Sequence, residues 1–249
     1  MLAILSAMHE EIAAIVDALA SVTTRELGGR RFHLGTLHGV ATVAVFSRFG
    51  KVAAATTVTQ LLASYEVSEL VFSGVAGAVS PSLAIGDVVV ASGLMQHDMN
   101  AAPIFPRYEV PLTGKAVFEC DPHLSQRLLG AARGFLAEDL CRCVPALELE
   151  QFGIRSPRVA HGLIASGDKF FASAAEVAEL RARLPQITCV EMEGAAVAQV
   201  CAEYGVPFAV VRTLSDAADE GSAHDFQRFT HEVARQYSRG ILARFVQSL

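Results

Sequence analysis

Apolar runs of strand length alternate with helical patterns along the whole chain, and this alternation constrains the fold more than any other feature. The runs are rich in Val, Ile and Ala and lack regular polar alternation, which indicates strands buried on both faces of a sheet. They cover residues 2–6, 40–47, 69–75, 87–91, 159–165, 188–191 and 208–214. Segment 31–37 is predicted to form a hairpin with the second run through the His38-Gly39 turn. Helical patterns cover residues 9–19, 51–65, 123–136, 173–184, 194–204 and 225–247.

This pattern predicts an α/β fold in which helices flank a mixed or parallel sheet. The chain of 249 residues shows neither a linker nor an internal repeat, so we expect one domain over residues 1–249. Hydrophobic residues make up 52% of the chain, in keeping with strands buried on both faces. Residues 100–122 contain four prolines and no clear period, and loops of that length in a compact domain are often functional.

The net charge limits the partners that the chain is expected to bind, and the cysteines indicate the compartment in which it is expected to work. The formal net charge is −6, and we find no basic stripe, so binding to nucleic acid or to an anionic membrane is not expected. No apolar run approaches the roughly 18 residues that a membrane-spanning helix needs, and the N-terminal segment lacks the basic start of a signal peptide. The odd number of cysteines, Cys120, Cys141, Cys143, Cys189 and Cys201, has no framework spacing. A reducing, cytoplasmic setting is therefore expected.

Acidic side chains follow three of the apolar runs, at the points where strands are predicted to end. They are Glu10-Glu11, the pair Glu191 and Glu193, and Asp216 after Ser215. In α/β sheets, ligands bind beyond the carboxyl ends of the strands, so we expect these carboxylates to meet there. One ionised and one protonated carboxyl group suit general acid–base hydrolysis. The sequence therefore predicts a hydrolytic site at one end of the sheet.

Each motif also has a structural interpretation. Glu10-Glu11 fits a surface role at a helix N-terminus, where the dipole favours ionised carboxylates. Glu191 and Glu193 would point the same way on a continued strand, as two acceptors for a ribose diol, or one of them caps the following helix. Asp216 fits an N-cap or an Asx turn; if it is desolvated, its pKa rises towards that of a proton donor.

Two further motifs follow buried strands. Ser73 to Gly77 contains glycines that allow close backbone approach to a ligand or a tight turn. It lacks the GxGxxG pattern of dinucleotide sites. Phe170-Phe171 follows the fifth run and either stacks on a flat base or packs in the core. The Cys141-Arg142-Cys143 pair has no accompanying His/Cys cluster, so neither a metal site nor an organic cofactor is expected.

Taken together, these residues resemble the purine nucleoside phosphorylase superfamily, and within it the 5′-methylthioadenosine/S-adenosylhomocysteine nucleosidases. The resemblance covers essentially the whole chain and implies a three-layer fold whose central mixed β-sheet is partly closed and barrel-like, with flanking helices. Its motifs occur in the same order at compatible spacing: Ala7-Met8 with Glu10-Glu11, Gly50-Lys51-Val52-Ala53-Ala54, Ser73-Gly74 with Ala76-Gly77, Gly86-Asp87-Val88-Val89-Val90, His97-Asp98, Ser166-Gly167-Asp168 with Phe170, Val190-Glu191-Met192-Glu193, and Arg212 with Ser215-Asp216.

The resemblance implies hydrolysis of an adenine N-glycosidic bond. Glu11 would activate water, Asp216 would protonate adenine N7, Glu193 would accept from the ribose hydroxyls and Phe170 would stack on adenine. The implied substrate-binding residues are Met8, Phe49, Val75, Phe170, Phe171, Glu191, Met192, Glu193, Ser215 and Phe226. Phosphorylases of the superfamily carry arginine in the first-strand loop, where this chain has Met8-His9-Glu10-Glu11. Water is therefore expected as the nucleophile, because these carboxylates repel phosphate.

The chain departs from the nucleosidases near the expected 5′ end of the substrate. Arg48 replaces a glycine, and Lys169 stands where a small residue is usual. In this family of homodimers, the partner subunit covers the 5′ group with residues after His97-Asp98, and this chain offers Ala101, Ile104 and Phe105 there. Together with Arg107, these changes leave the 5′ substituent open. Open alternatives are an aminodeoxyfutalosine-type or hopanoid-linked nucleosidase, a phosphate-dependent phosphorylase and a non-catalytic nucleoside-binding protein.

Overall fold

A computed structural model of the chain describes residues 1–7, 9–217 and 222–249, with residues 222–225 described as helix backbone alone. The strands are β1 Leu2–Ser6, β2 Ala20–Leu27, β3 Arg30–Leu37, β4 Val40–Phe46, β5 Glu69–Ala78, β6 Val88–Gln96, β7 Phe118–Glu119, β8 Val159–Ser166, β9 Ile187–Glu191 and β10 Phe208–Asp216. The helices are α1 His9–Ala18, α2 Lys51–Ser64, α3 Pro122–Gly134, α4 Leu140–Cys143, α5 Ala146–Gln151, α6 Ala174–Arg183, α7 Gly194–Tyr204, α8 Ser222–Phe229 and α9 Arg235–Gln247.

The strands form one mixed sheet whose central part closes on itself. Its order is β10-β6-β8-β9-β5-β1-β4-β3-β2, and β10 also pairs with β5, so β5, β10, β6, β8 and β9 make a ring. Parallel pairing joins β1 to β4 and β5, β5 to β10, and β8 to β6 and β9. Antiparallel pairing joins β10 to β6 and β5 to β9. The predicted α/β fold with a partly closed, barrel-like mixed sheet is confirmed.

Helices cover both sides of the sheet and give the predicted three layers. Helices α1, α3 and α9 enclose one apolar core, which includes Ile12, Leu128 and Ile241. Helices α2 and α7 enclose a second core, which includes Val58 and Val197. Strands β1 and β10 are buried along their whole length, as expected for strands with apolar neighbours on both faces.

Some elements differ from the sequence-based prediction. Strand β2 was not predicted because most of its residues are polar and almost all are exposed, so it has no buried face to mark it. The two-residue strand β7 and the short helices α4 and α5 were also not predicted. The long C-terminal helix is interrupted by a π-helical turn, Thr230–Ala234, and a second such turn, Phe135–Asp139, joins α3 to α4.

A buried ion pair lies inside the closed ring. Arg212 on β10 is fully buried and donates from Nη2 to Glu191 Oε2 at the end of β9, at 2.7 Å. Arg212 Nη1 donates to the Phe72 carbonyl on β5 at 3.3 Å, and the guanidinium lies 4.1 Å from the Phe72 ring centroid. One side chain thus contacts three strands of the ring, and removing either charge leaves the other unpaired in the interior.

We expect Glu191→Gln to lower the free energy of unfolding by about 3–5 kcal/mol, because it leaves the Arg212 charge buried without its counter-ion. Urea unfolding measures the change. The matched control is Glu179→Gln, which breaks the exposed pair between Glu179 and Arg183 at 3.7 Å and should cost less than about 1 kcal/mol. Equal losses in the two variants would contradict this role for the buried pair.

Helix α9 closely approaches the π-helical turn Phe135–Asp139. A Cβ atom added at Gly240 would lie 2.3 Å from Cδ2 and Cε2 of the Phe135 ring, so Gly240→Ala should destabilise the fold by about 1–3 kcal/mol through overpacking. The control is Gly130→Ala on α3, where nothing lies within 4 Å. The control should gain up to about 1 kcal/mol from helix propensity. The same sign of change in both variants would contradict the account.

Candidate active site

A cleft of about 550 Å³, counted to its open mouth, lies at the ends of β5, β9 and β10. Most of the residues predicted to bind substrate line it: Phe49, Val75, Phe170, Phe171, Glu191, Met192, Glu193, Ser215, Asp216 and Phe226. Ala7, Ala76, Gly77, Lys169 and Val190 also line it, and no role was predicted for them except in motifs. Met8 lies outside the described residues. The sheet therefore brings the late acidic motifs together as expected.

Asp216 ends β10 inside the cleft. A register irregularity between Leu214 and Asp216 breaks the regular pairing with β5 at this point, and bulges of this kind redirect side chains at strand ends. The Asp216 side chain is buried, and the Ser215 hydroxyl donates to its Oδ2 at 2.7 Å. Ser215 thereby fixes the orientation of the carboxyl group.

Glu193 is the second carboxyl group that lines the cleft. It is buried, and the Gly50 backbone N–H donates to its Oε1 at 2.8 Å. Gly50 has φ +85°, a conformation that favours glycine and that aims this N–H at the cleft. Burial, followed by the neighbouring Glu191, raises the pKa of Glu193 to about 8, and the Gly50 N–H opposes that rise. The Glu193 carboxyl group therefore keeps its proton to higher pH than an exposed glutamate does.

Glu191 lines the same cleft but directs its carboxylate to internal donors. Besides Arg212, it accepts hydrogen bonds from the Ser166 hydroxyl, from Gly194 N at 2.8 and 3.0 Å, and from Glu193 N at 3.2 Å. These N–H groups begin α7, so Glu191 is the capping carboxylate that the sequence left open as an alternative. The expected arrangement of two ribose acceptors side by side is not what the structure shows. The strand ends at Glu191, and the turn separates the two side chains.

Glu11 is not among the residues that line the cleft. Its side chain is fully buried and accepts from the Ser6 hydroxyl at 2.6 Å and from the Ser238 hydroxyl at 2.5 Å. Burial raises its pKa, while the two serines and Arg212 lower it. A surface role for Glu11 at the start of α1 is therefore wrong. The start of the helix was expected to favour an ionised carboxylate here, whereas burial is the largest influence on Glu11 and raises its pKa.

Aromatic rings form the mouth of the cleft. Phe170 is 40% exposed and meets Phe226 edge to face at 5.6 Å between ring centroids. Phe171 is buried and packs edge to face on His97 at 5.4 Å. Phe49 is 58% exposed on the opposite loop. Both rings line the cleft, and Phe171 also takes part in the core packing that the sequence left open as an alternative, while stacking of Phe170 on a base stays a prediction.

A charged cluster that was not predicted as part of the site ties three of its loops together. Lys51 Nζ lies 2.6 Å from Asp98 Oδ1, and Lys51 N donates to Asp168 Oδ1 at 2.9 Å. Asp168 N donates to Asp98 Oδ2 at 3.0 Å. The cluster fixes the loop that carries Gly50 and hence the donor to Glu193. The sequence did contain a sign of this cluster, because Lys51, Asp98 and Asp168 each belong to one of the motifs that resemble those of the nucleosidases.

The departures from the resemblance have definite positions. Arg48 has φ +65° and donates to the Gly29 carbonyl; Arg107 lies over the Tyr108 ring at 5.1 Å. Lys169 lines the cleft with its Nζ 2.6 Å from Glu176 Oε1. Ile104 is 83% exposed. Ala101 and Phe105 lie in the same loop, and these three residues are absent from the cleft lining of a single chain.

Within residues 1–7, 9–217 and 222–249, no helix combines the length and apolar character that crossing a bilayer needs. The same described ranges hold no group of three or more His, Cys, Asp or Glu side chains placed to hold a metal ion.

Comparison with known proteins identifies the family. The model of the phosphorylase superfamily matches residues 1–247. The 5′-methylthioadenosine/S-adenosylhomocysteine nucleosidase of Chromohalobacter salexigens is 38% identical over 233 residues, which cover 94% of this chain and 91% of the relative. The nucleosidase of the same name from Anoxybacillus flavithermus is 35% identical, and the match covers 94% of this chain and 92% of the relative.

Solved structures agree with these relatives. The Neisseria meningitidis 5′-methylthioadenosine/S-adenosylhomocysteine nucleosidase in complex with methylthio-immucillin-A superimposes with a TM-score of 0.87 and 30% identity, covering 100% of this chain and 99% of that one. The native futalosine hydrolase of Helicobacter pylori superimposes with a TM-score of 0.84 and 33% identity, covering 100% of this chain and 97% of that one. The chain therefore belongs to the phosphorylase superfamily and, within it, to the 5′-methylthioadenosine/S-adenosylhomocysteine nucleosidases.

Proposed function

We propose that this protein hydrolyses the N-glycosidic bond of 5′-methylthioadenosine, S-adenosylhomocysteine or both, releasing adenine and a 5′-substituted ribose without a metal or an organic cofactor. One observation carries the proposal: the buried carboxyl groups of Glu193 and Asp216 share a cleft with the exposed face of Phe170. The relatives of the same name support the choice of substrate, and methionine salvage is the pathway this activity would serve. Residues 1–249 would act as a single catalytic domain.

Asp216 is assigned as the general acid. Glycosidic cleavage passes through an oxocarbenium-like sugar, and a base that leaves neutral lowers the barrier. A carboxyl group that protonates adenine N7 provides this, and the Ser215 hydroxyl at 2.7 Å holds it in one orientation. Glu11 is assigned as the base that activates water, acting from behind the floor of the cleft, where Ala7 lies.

The remaining residues bind the nucleoside in this scheme. Glu193 accepts from the ribose hydroxyls, and Met192 packs on the sugar. Phe170 stacks on adenine, and the backbone of Phe171 reads its N1 and N6 edge. Met8, Phe49, Val75 and Phe226 complete the pocket. Glu191 holds Arg212 and the start of α7 in place, so its contribution to ribose binding is indirect.

Water is the nucleophile that best fits the charges of the cleft. Phosphate requires cationic or amide donors where it binds. Among the described residues that line the cleft, Lys169 carries the only positive charge, and it is paired with Glu176 at 2.6 Å. Arg212 lies behind the cleft and is paired with Glu191. A phosphate dianion would therefore meet carboxylates without free cations.

Asp216→Asn is expected to lower kcat for adenine release by roughly 10²- to 10⁴-fold, because the amide cannot donate the proton. Adenine release from methylthioadenosine measures the effect, with unfolding by urea as a check that the fold is intact. The exposed Asp17→Asn on α1 serves as a control and should be unaffected. Near-normal turnover of Asp216→Asn would refute the assigned acid. A separate assay of the unaltered protein with and without phosphate tests the nucleophile, and turnover only in the presence of phosphate would refute hydrolysis.

A second candidate is hydrolysis of another 5′-modified adenosine. The similarity to the futalosine hydrolase of Helicobacter pylori favours it, as do the exposed Ile104 and the lysine at position 169. Comparing kcat/KM for methylthioadenosine, S-adenosylhomocysteine, aminodeoxyfutalosine, 5′-deoxyadenosine and adenosine separates the candidates. A value for aminodeoxyfutalosine far above those for the two thioethers would reverse the choice.

We further propose a cytoplasmic homodimer in which the partner subunit covers the 5′ end of the substrate with Ala101, Ile104 and Phe105. Ile104 is 83% exposed, so its apolar side chain is available for contact with a partner subunit. The five cysteines are free, which suits a reducing compartment.

Ile104→Asp is expected to weaken the dimer and to raise KM for methylthioadenosine by at least about tenfold, because burying an unpaired charge at an interface costs several kcal/mol. Sedimentation velocity gives the oligomeric state. The control is Leu147→Asp on α5, which is exposed to a similar degree, 65%, but lies outside the proposed lid. An unaltered protein that sediments as a monomer with full activity would contradict the proposal.

A further inference from the structure

The C-terminal helix reaches the buried carboxylate of Glu11. Ser238 on α9 donates to Glu11 Oε1 at 2.5 Å, and Ser6 at the end of β1 donates to Oε2 at 2.6 Å. Both serines are buried, so solvent does not compete for these hydrogen bonds. Each oxygen of the carboxylate thus has its own hydroxyl donor, and the two donors lie 232 positions apart in the chain.

The direction of each hydrogen bond in this group is also defined. A serine hydroxyl has one proton, and Ser238 uses it on Glu11. The 2.8 Å contact between Ser238 and Ser73 therefore runs from Ser73 to Ser238. Ser73 lies on β5, whose carboxyl end lines the cleft. A chain of hydroxyl groups thus leads from the closed ring through α9 to the carboxylate.

We propose that Ser6 and Ser238 are positioning residues for the base of the reaction. Helix α9, which carries Ser238, would then help to orient the Glu11 carboxylate. This inference rests on the proposed function, since it takes Glu11 as the base. Each carboxylate oxygen can accept two hydrogen bonds, so one serine on each oxygen orients the group and leaves an acceptor position for water.

The packing of α9 explains how Ser238 keeps its place. Its neighbours in the helix, Tyr237 and Ile241, are buried in the core that α9 shares with α1 and α3. Gly240 allows the helix to approach the Phe135 ring closely. Movement of α9 along its axis would therefore disturb the core before it released Glu11.

The charges around Glu11 set the direction of the expected effect. Arg212 on β10 favours the ionised form, and Glu10 on α1 opposes it. Burial raises the pKa of Glu11, and each serine hydroxyl lowers it. A base works above its pKa, so removing a serine should move the acidic limb of the pH profile to higher pH. The opposite shift would need the hydroxyl to favour the protonated form.

The test is the pH dependence of kcat/KM for adenine release from methylthioadenosine between about pH 5 and pH 9, which reports the groups of the free enzyme. Ser238→Ala should move the acidic limb up by about one pH unit, because a hydrogen bond to a charged group contributes roughly that much to its ionisation. Ser6→Ala should move it in the same direction without altering α9. Ser238→Thr retains the hydroxyl and should restore the limb.

Two controls separate positioning from a general loss of structure. Ser73→Ala removes the second donor in the chain and should give a smaller shift of the same sign. Thr230→Ala alters a buried hydroxyl of the neighbouring π-helical turn that has no hydrogen-bond partner among the described residues, and it should leave the limb unmoved. Titration of Glu193 also shapes the profile, but Ser238 does not touch it, so the difference between variants isolates Glu11.

The failures of the two proposals are distinguishable. A limb that stays in place in both Ser6→Ala and Ser238→Ala, with activity lowered equally at every pH, overturns the positioning role. Near-normal turnover of Glu11→Gln would instead remove Glu11 from the mechanism and with it the proposed base. An inactive Glu11→Gln together with shifted limbs in both serine variants supports the inference.

Discussion

The pairing of β10 with both β5 and β6 is the constraint on which the rest of the structure depends. It closes five strands into a ring and brings the ends of β5, β9 and β10 to one cleft. The Arg212–Glu191 pair secures the ring from inside by contacting β5, β9 and β10 at once. An ion pair of this kind contributes little net stability over an apolar pair but penalises any arrangement that separates its partners. It specifies how the strand ends meet.

The closed ring gives four carboxyl groups four different environments. Glu191 accepts hydrogen bonds from a guanidinium, a hydroxyl and backbone N–H groups. Glu193 is buried, which raises its pKa, and the Gly50 N–H that donates to it only partly opposes that rise. Glu11 is buried among serine hydroxyls, and Asp216 is oriented by Ser215. Acid–base chemistry requires carboxyl groups of different proton affinity in one site, and these differences arise from the partners that the fold supplies.

Much of the fold and of the site could be predicted from the sequence, because buried strands and ordered motifs leave strong local signals. The fold class and the meeting of Glu193 and Asp216 at one end of the sheet follow from such signals, whereas the partial closure of the sheet was implied only by the family resemblance. The arrangement of Glu191 could not be predicted, because a strand continued past Glu191 would place it beside Glu193. The chain instead turns at Glu193, with φ −133° and ψ −39°, and Glu191 turns inward to Arg212.

Contacts between distant residues were also out of reach of sequence reasoning. Nothing in the local pattern marks Ser238 as a partner of Glu11, since a serine on an amphipathic helix is ordinary. The full burial of Glu11 was unexpected for the same reason, because an acidic pair at the start of a helix usually faces water. Strand β2 left no signal because its polar residues are exposed and pair only at the sheet edge.

The central claim is that the cleft at the ends of β5, β9 and β10 binds the nucleoside between Glu193 and Asp216. A crystal structure of this protein with methylthio-immucillin-A, the ligand of the Neisseria meningitidis nucleosidase structure, tests it most directly. The account predicts sugar hydroxyls within hydrogen-bond distance of the Glu193 carboxylate, the base against Phe170, and its N7 position at Asp216. A ligand bound elsewhere, or a base turned away from Asp216, would contradict it.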